Sequence, residues 1–233
     1  MMIKEQKTFF EKKAEKYHDL VKERKNRVKL NPFIIPRMGP SLLDVGNGGV
    51  KDFSSPNTTR YVGLDFSITM LKKGDRDVEK VCGDAMLLPF HANTFASLMY
   101  SSMLHHLTEE RVTETKHRII VALEEGRRCL KEGGNILVIE PCTSKAAEKL
   151  EQALFFLIKA IFHLFGIPEV FLFSSATIVK SMEVAGFKEI TITTGDKRGN
   201  DKWDWVSPII GIPGFKIPRA LLPVQVTLIE GKK

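Results

Sequence analysis

Short apolar runs recur along the chain, separated by turns and by longer amphipathic stretches. Residues 41–45 (SLLDV), 60–66 (RYVGLDF), 78–85 (VEKVCGDA), 95–102 (FASLMYSS) and 134–141 (GNILVIEP) each read as a buried strand. Between the last two, residues 109–131 place Ile119, Ile120, Leu123 and Leu130 on one helical face, and Glu132-Gly133-Gly134 reads as a helix stop. Residues 145–165 predict a strongly apolar helix. Residues 174–187 predict a capped helix closed by a glycine. KEITITT (188–194) alternates like an edge strand, and 222–231 reads as a last strand. Short buried strands alternating with helices predict an α/β fold, a parallel sheet with crossover helices on both faces.

The two ends read differently. Residues 5–29 place Phe9, Phe10, Ala14, Tyr17, Leu20 and Val21 near a helical spacing, and Asn31-Pro32 ends that pattern. Pro36, Gly39 and Pro40 mark a linker. Residues 195–221 are broken by glycine and proline and carry Trp203 and Trp205, which predicts a covering loop.

With 233 residues, 43% hydrophobic and 27% charged, the chain suits one α/β domain with extras, or at most two small ones. Cys82, Cys129 and Cys142 are scattered and form no CxxC pair, so neither a disulfide framework nor a zinc site is expected, and a reducing cytoplasm fits. The first residues are charged and lack a signal-peptide apolar core. No stretch of about 18 uncharged apolar residues predicts a spanning helix. The nearest candidate, 153–167, is interrupted by Lys159 and His163. The net charge of +7 is uneven: residues 1–29 hold ten Lys/Arg against five Asp/Glu, and the rest 25 against 23. That arm reads as a solvated basic helix or as a surface for anionic lipid or nucleic acid. It shows no aromatic-basic interleaving of the kind that stacks bases.

The chemistry gathers where the first run meets glycines, LLDVGNGGV at 42–50. Three glycines within four positions (Gly46, Gly48, Gly49) let a backbone turn sharply or come close to a ligand. The spacing is G-x-G-G, not the G-x-G-x-x-G of a dinucleotide pyrophosphate loop. Asp65 ends the second run, 21 residues after Asp44, where an acid can accept hydrogen bonds from both ribose hydroxyls of a nucleoside. Asp84, at the tip of the third run, can accept from an exocyclic amine, and Asp44 can face a cationic or amino end. Each acid alone would read as a turn or helix cap. Three in order at successive strand tips read as one constellation.

At this point the chain resembles the class I methyltransferases that use S-adenosylmethionine. It is most similar to the small-molecule group with the ubiquinone and menaquinone C-methyltransferases and the phosphoethanolamine N-methyltransferases. The resemblance runs from FFEKKAEKYHD to VTLIEG. It implies a Rossmann-like, seven-stranded, mostly parallel sheet with helices on both faces and an antiparallel last strand. LLDVGNGG resembles the nucleotide loop, with Asp44, Gly46, Asn47 and Gly48. YVGLDFSITML is similar to the ribose-binding strand and its helix, with Asp65, Phe66 and Met70. VCGDAMLLPF resembles the adenine strand, with Asp84, Ala85 and Met86. YSSMLHHL, with Ser101 and Ser102, resembles the strand beneath the sulfonium. LKEGGNILVIEP and MEVAGF resemble the fifth strand and the closing helix. The chain departs from the family where Val50 replaces a glycine, where Ala96 replaces an acid, and in the shortened helix after Gly49.

The resemblance also implies a division of the chain. Residues 1–38 form a helical cap and linker, and 39–144 the cofactor-binding core. Residues 145–173 form an apolar helical lid, and 174–233 complete the core with the covering loop 195–221. It implies Tyr17 and His106 as catalytic candidates, a latch and proton relay of the phosphoethanolamine type; both residues can equally be structural. A base is needed only when the acceptor loses a proton. Only Glu140 lies near the fourth and fifth strand tips, so no metal is expected. No Asn/Asp-Pro-Pro-aromatic motif follows the fourth strand, and the cysteines do not resemble an arsenic methylase. The phenylalanine- and leucine-rich segment 147–173 predicts either core packing or a cover over an apolar small-molecule acceptor, with possible peripheral membrane contact. A methylase of RNA or protein and a catalytically idle cofactor-binding regulator are the rival readings. Oligomeric state is not legible.

Overall fold

The computed structural model describes Glu11 and residues 30–164, 169–194, 205–206, 217–218 and 224–233. The expected helix 5–29 with Tyr17, and most of the loop 195–221, lie outside the described residues.

Seven strands form one sheet: β1 (Ser41–Val45), β2 (Arg60–Asp65), β3 (Glu79–Cys82), β4 (Phe95–Ser101), β5 (Leu130–Cys142), β6 (Lys188–Thr194) and β9 (Gln225–Lys232). Two-residue strands β7 (Trp205–Val206) and β8 (Ile217–Pro218) pair with each other. The order across the large sheet is β3-β2-β1-β4-β5-β9-β6. Neighbours from β3 to β5 run parallel, whereas β9 runs antiparallel to both β5 and β6. This is the Rossmann-like α/β sheet with an antiparallel last strand that the sequence predicts. Strand order reverses between β1 and β4, and in an open parallel sheet that reversal opens a crevice beyond the strands' carboxyl ends.

Side-chain alternation divides the core in two. Leu43, Val45, Val62, Leu64, Leu98, Tyr100, Ile136 and Val138 point to one face. There they meet helix α3 (Val112–Cys129) through Ile119 and Leu123, and helix α6 (Ser175–Val184) through Ile178 and Met182. Leu42, Tyr61, Met99, Leu137 and Ile139 point to the other, against Leu30, Ile34, Met38 and Phe53. The first face needs close approach of helix to sheet. A Cβ at Gly126 of α3 would lie 2.8 Å from the Tyr100 hydroxyl, which donates to Ala122 O at 2.5 Å.

Four local expectations are corrected. Helix α3 ends at Cys129, so Leu130 is not on its apolar face but opens β5. Glu132-Gly133-Gly134 then forms the irregularity in β4–β5 pairing, with Gly133 at φ 70°, rather than the helix stop itself. The stretch 145–165 is two helices, α4 (Lys145–Ala153) and α5 (Phe155–Leu164), broken at Leu154. After Gly49 no helix forms before β2; the loop there buries Phe53 against the second face.

The α4–α5 segment is fastened by two inward acids. Glu148 Oε2 accepts from Ser174 N–H at 2.9 Å and Ser174 Oγ–H at 2.5 Å, and Lys116 lies 3.4 Å from its other oxygen. Glu151 Oε1 accepts from Leu172 N–H at 3.1 Å. Burial pushes the Glu151 carboxyl up to about 7, against the opposing pull of that N–H donor.

Two outcomes follow from this packing. Gly126→Ala forces the Tyr100 hydroxyl away and should destabilise the fold by about 1–3 kcal/mol, read as a lower urea midpoint. Because Glu151 has a raised pKa in the folded state, its contribution to stability is present below the ordinary glutamate value and is lost as pH rises through about 7. Glu151→Gln keeps the oxygen for Leu172 and removes this loss. At pH 8 the variant should be more stable than the parent by about 1–3 kcal/mol, a gap that closes toward pH 4.5 in paired urea titrations.

Candidate active site

A crevice opens at the carboxyl edge of the sheet, at the β1/β4 reversal. Its wall includes Val45, Gly46 and Gly48 after β1, and Leu64, Asp65 and Phe66 at the end of β2. Met70 follows, then Gly83, Asp84 and Ala85 after β3. Ser102, Met103, His106, Leu107 and Arg118 complete it.

The glycine turn is built to come close. Gly46, Gly48 and Gly49 have φ of 76°, 62° and 78°, the left-handed region that side chains resist. A Cβ on Gly46 would lie 2.2 Å from Met103 Cγ, and one on Gly48 2.9 Å from Met70 Cε. Asn47 fastens the turn from within: its Oδ1 accepts from Gly49 N–H at 2.8 Å and its Nδ2 donates to Val50 O at 3.1 Å.

Asp65 joins this turn to the next one. Its Oδ2 accepts from Gly48 N–H at 2.9 Å and its Oδ1 from Ser67 N–H at 2.8 Å. Burial raises its pKa, and those backbone donors, which favour the ionised form, oppose the rise. The Phe66 N–H also engages this carboxylate; with four lone pairs between its two oxygens, it keeps acceptor capacity toward a ligand hydroxyl. Ser67 in turn caps helix α2 (Ile68–Lys73), accepting from Met70 N–H at 3.3 Å, and so sets Met70 on the wall.

Across the crevice, β4 runs out into Ser102, at φ 53°, whose N–H donates to Ile139 O at 2.7 Å. A short 3-10 turn, Leu104–His106, follows. Buried Glu140 of β5 holds this loop down: Oε1 accepts from both Met103 N–H and Leu104 N–H at 2.7 Å, and Oε2 lies 2.6 Å from His105 Nδ1. The two histidines thereby part company. His105 turns to Glu140, and His106 stands on the crevice wall with the ring centroids 4.2 Å apart.

Of the residues singled out from sequence, Gly46, Gly48, Asp65, Phe66, Met70, Asp84, Ala85, Ser102 and His106 share this wall. Asp84 sits at its exposed rim and holds Met86 N–H through Oδ1 at 2.9 Å. Asp44, Asn47, Met86 and Ser101 lie off it. Asp44 is fully buried and accepts from the Tyr61 hydroxyl at 2.5 Å; strand alternation turns it toward the second face with Leu42, away from any ligand amino group. Ser101 is buried and its Oγ has no hydrogen-bond partner among the described residues. Tyr17 lies outside the described residues. Sequence reasoning did not single out Gly83, Met103, Leu107 or Arg118, nor the anchoring role of Glu140. Arg118 reaches the wall from α3, its guanidinium paired with Glu109. A cation on the polar face of a helix gives no signal of such a position. Among the described residues no group of three or more His, Cys, Asp or Glu side chains is placed to hold a metal ion.

Known proteins resemble this chain at two levels. Residues 43–138 match the family described as a methyltransferase domain. A demethylmenaquinone methyltransferase of Corynebacterium urealyticum is 34% identical over 105 residues, 44% of this chain and 42% of that protein. The ubiquinone/menaquinone biosynthesis C-methyltransferase of Cereibacter sphaeroides is 33% identical over 122 residues, 46% and 45% of the two chains. The chain thus spans less than half the length of these relatives. Among solved structures, a SAM-dependent methyltransferase of Thermotoga maritima, described as a possible histamine N-methyltransferase, shares the fold. Its TM-score is 0.62 at 20% identity, over 96% of this chain and 98% of that one. A geranyl diphosphate methyltransferase bound to geranyl diphosphate and sinefungin does so at TM-score 0.61 and 16% identity, over 87% and 77%. From β1 into β5, across residues 43–138, the chain is therefore similar to the methyltransferase domain family.

Proposed function

We propose that this protein transfers a methyl group from S-adenosylmethionine to a small, apolar acceptor. The observation that carries this reading is the single crevice at the β1/β4 reversal. There a close-approaching glycine turn, a carboxylate with lone pairs to spare, a second carboxylate at the rim and a histidine face one another. The residues suit the cofactor. Asp65 would accept both ribose hydroxyls, Asp84 and Ala85 would meet the adenine edge, and Phe66 and Met70 would cover the ring. Gly46, Gly48 and Ser102 would border the methionine portion. S-adenosylmethionine, when bound, supplies a methyl on positively charged sulfur that needs no further activation.

The chain's own work is then alignment, water exclusion and, for some acceptors, proton removal. Met103 and Leu107 present apolar surface beside His106, which keeps water from the transfer path. Glu140 fixes the loop that carries His106, and Glu140 also holds His105 off the crevice. His106 is the group that would take a proton from an acceptor carbon, oxygen or nitrogen. The apolar side chains beside His106, Met103 and Leu107, support an apolar acceptor, as do curated relatives named for menaquinone and ubiquinone biosynthesis. No nucleic-acid substrate is expected, and Tyr17 remains a candidate relay from the N-terminal arm.

Isothermal calorimetry with S-adenosylmethionine, followed by transfer of labelled methyl into a lipid-soluble metabolite extract, tests the proposal. Binding and labelled apolar product are expected; binding without transfer to any fraction would leave a regulator in place of an enzyme. Asp65→Asn should weaken cofactor binding by about tenfold or more, through loss of charge-assisted hydrogen bonds to hydroxyls. Unchanged affinity in a folded variant would overturn the ribose assignment. His106→Ala should leave cofactor affinity intact and lower kcat by about 10²–10⁴ if the acceptor loses a proton. A pH–rate profile lacking a histidine-like limb would remove that role.

A further inference from the structure

The α4–α5 segment carries large apolar side chains that stand exposed. Leu150 is 61% exposed, and on α5 Phe156, Leu157 and Leu164 are 72%, 59% and 79% exposed. At 3.6 residues per turn, positions 156, 157, 160, 161 and 164 fall on one arc of α5, opposite buried Phe155 and Phe162. The inner side is well anchored. Phe155 packs on Phe171 with ring centroids 5.6 Å apart, and Lys159 reaches Glu110 at 3.1 Å and Glu169 at 3.5 Å. Among the described residues the outer arc lacks a neighbour of its own kind, and an exposed apolar patch of this sort marks an interaction surface.

The charges around the arc indicate what covers it. Helix α4 holds two acids and two lysines. Glu148 and Glu151 turn inward to Ser174 and Leu172, whereas Lys145 and Lys149 are exposed. The exposed charges of α4 are therefore both cationic, exposed Glu110 is spent on Lys159 of α5, and residues 1–29 add five further net positive charges to the chain. A convex helix face joined to a helix with exposed lysines suits a fluid anionic surface, which needs no matching groove. Helix α5, ten residues and about 15 Å long, is too short for a hydrocarbon layer of about 30 Å. Among the described residues no helix is long and apolar enough to cross a membrane. The face can lie on a bilayer but not span it.

We propose that α4 and α5 dock this protein on an anionic lipid bilayer. The α5 arc would enter the acyl boundary, and Lys145 and Lys149 would meet the head groups. The docking helices connect toward the active site: buried Phe155 of α5 packs on Phe171, whose N–H donates at 3.1 Å to the carbonyl of His105, the residue before His106 on the wall. The mouth of the crevice would thus be held close to lipid. The proposal needs neither cofactor nor acceptor and stands or falls separately from methyl transfer.

Co-sedimentation of the full chain with vesicles, without cofactor, tests it. Phosphatidylcholine vesicles containing phosphatidylglycerol should pull the protein down at low salt, and pure phosphatidylcholine vesicles much less. The double variant Phe156→Ser/Leu164→Ser should lose about tenfold or more of the partitioning, since both side chains leave the acyl boundary. Lys145→Glu/Lys149→Glu should abolish the preference for anionic lipid. Circular dichroism and thermal midpoints of both variants should match the parent. Failure to sediment with anionic vesicles, or equal sedimentation of parent and Ser variant, overturns the proposal. So does a parent dimer by light scattering that the Ser variant converts to monomer, because a second copy would then be the occupant.

Discussion

A single buried carboxylate organises the crevice. Asp65 ends β2 and accepts one backbone N–H from the glycine turn after β1 and another from the turn that starts α2. Its desolvation is costly, and the two N–H groups offset that cost only if both turns hold their shape. The left-handed turn accompanies this demand: the chain bends back at Gly46, φ 76°, before the Gly48 N–H that donates to Asp65. Met70 and Met103 then fill the space that side chains on Gly48 and Gly46 would have taken. Much of the crevice surface is therefore a consequence of where one acid is buried.

The opposite wall repeats the device with Glu140. One oxygen gathers two successive N–H groups and the other engages His105, so a loop that leaves β4 at an unfavourable φ is held over the sheet. Two carboxylates on strand ends, each spending its lone pairs on backbone, fix the two sides of one opening. Loops fixed in this way can present side chains without rearranging to do so, which is what alignment of two reacting partners requires.

The strand rhythm was legible because each core strand is apolar on both faces, and the order of acids at strand tips was legible because tips follow from strand ends. The burial of Asp44 was not, since it depends on a hydroxyl from the neighbouring strand: Tyr61 lies two residues before Gly63, the partner of Asp44 in the register. Leu130 continued the apolar face of α3 and the glycines at 133 and 134 carried helix-stop chemistry, yet pairing with β4 drew Leu130 into β5 and the glycines into a bulge. The break at Leu154 was hidden because periodicity alone cannot distinguish one helix from two that share an apolar character. Arg118 and the anchoring role of Glu140 gave no signal, because they depend on contacts with residues 9 and 36 positions away in sequence.

Strand β9 has one more bearing on the molecule's life. It lies between β5 and β6 and pairs along its length with both. Strand β6 therefore has no edge to join until residues 225–232 have left the ribosome. Until that moment a nascent chain presents the open flank of β5 and an unpartnered β6, both ready to zip onto a neighbour's backbone. Assembly of this sheet is finished by its most recently synthesised strand, and the interval before it arrives is when chaperone protection counts most.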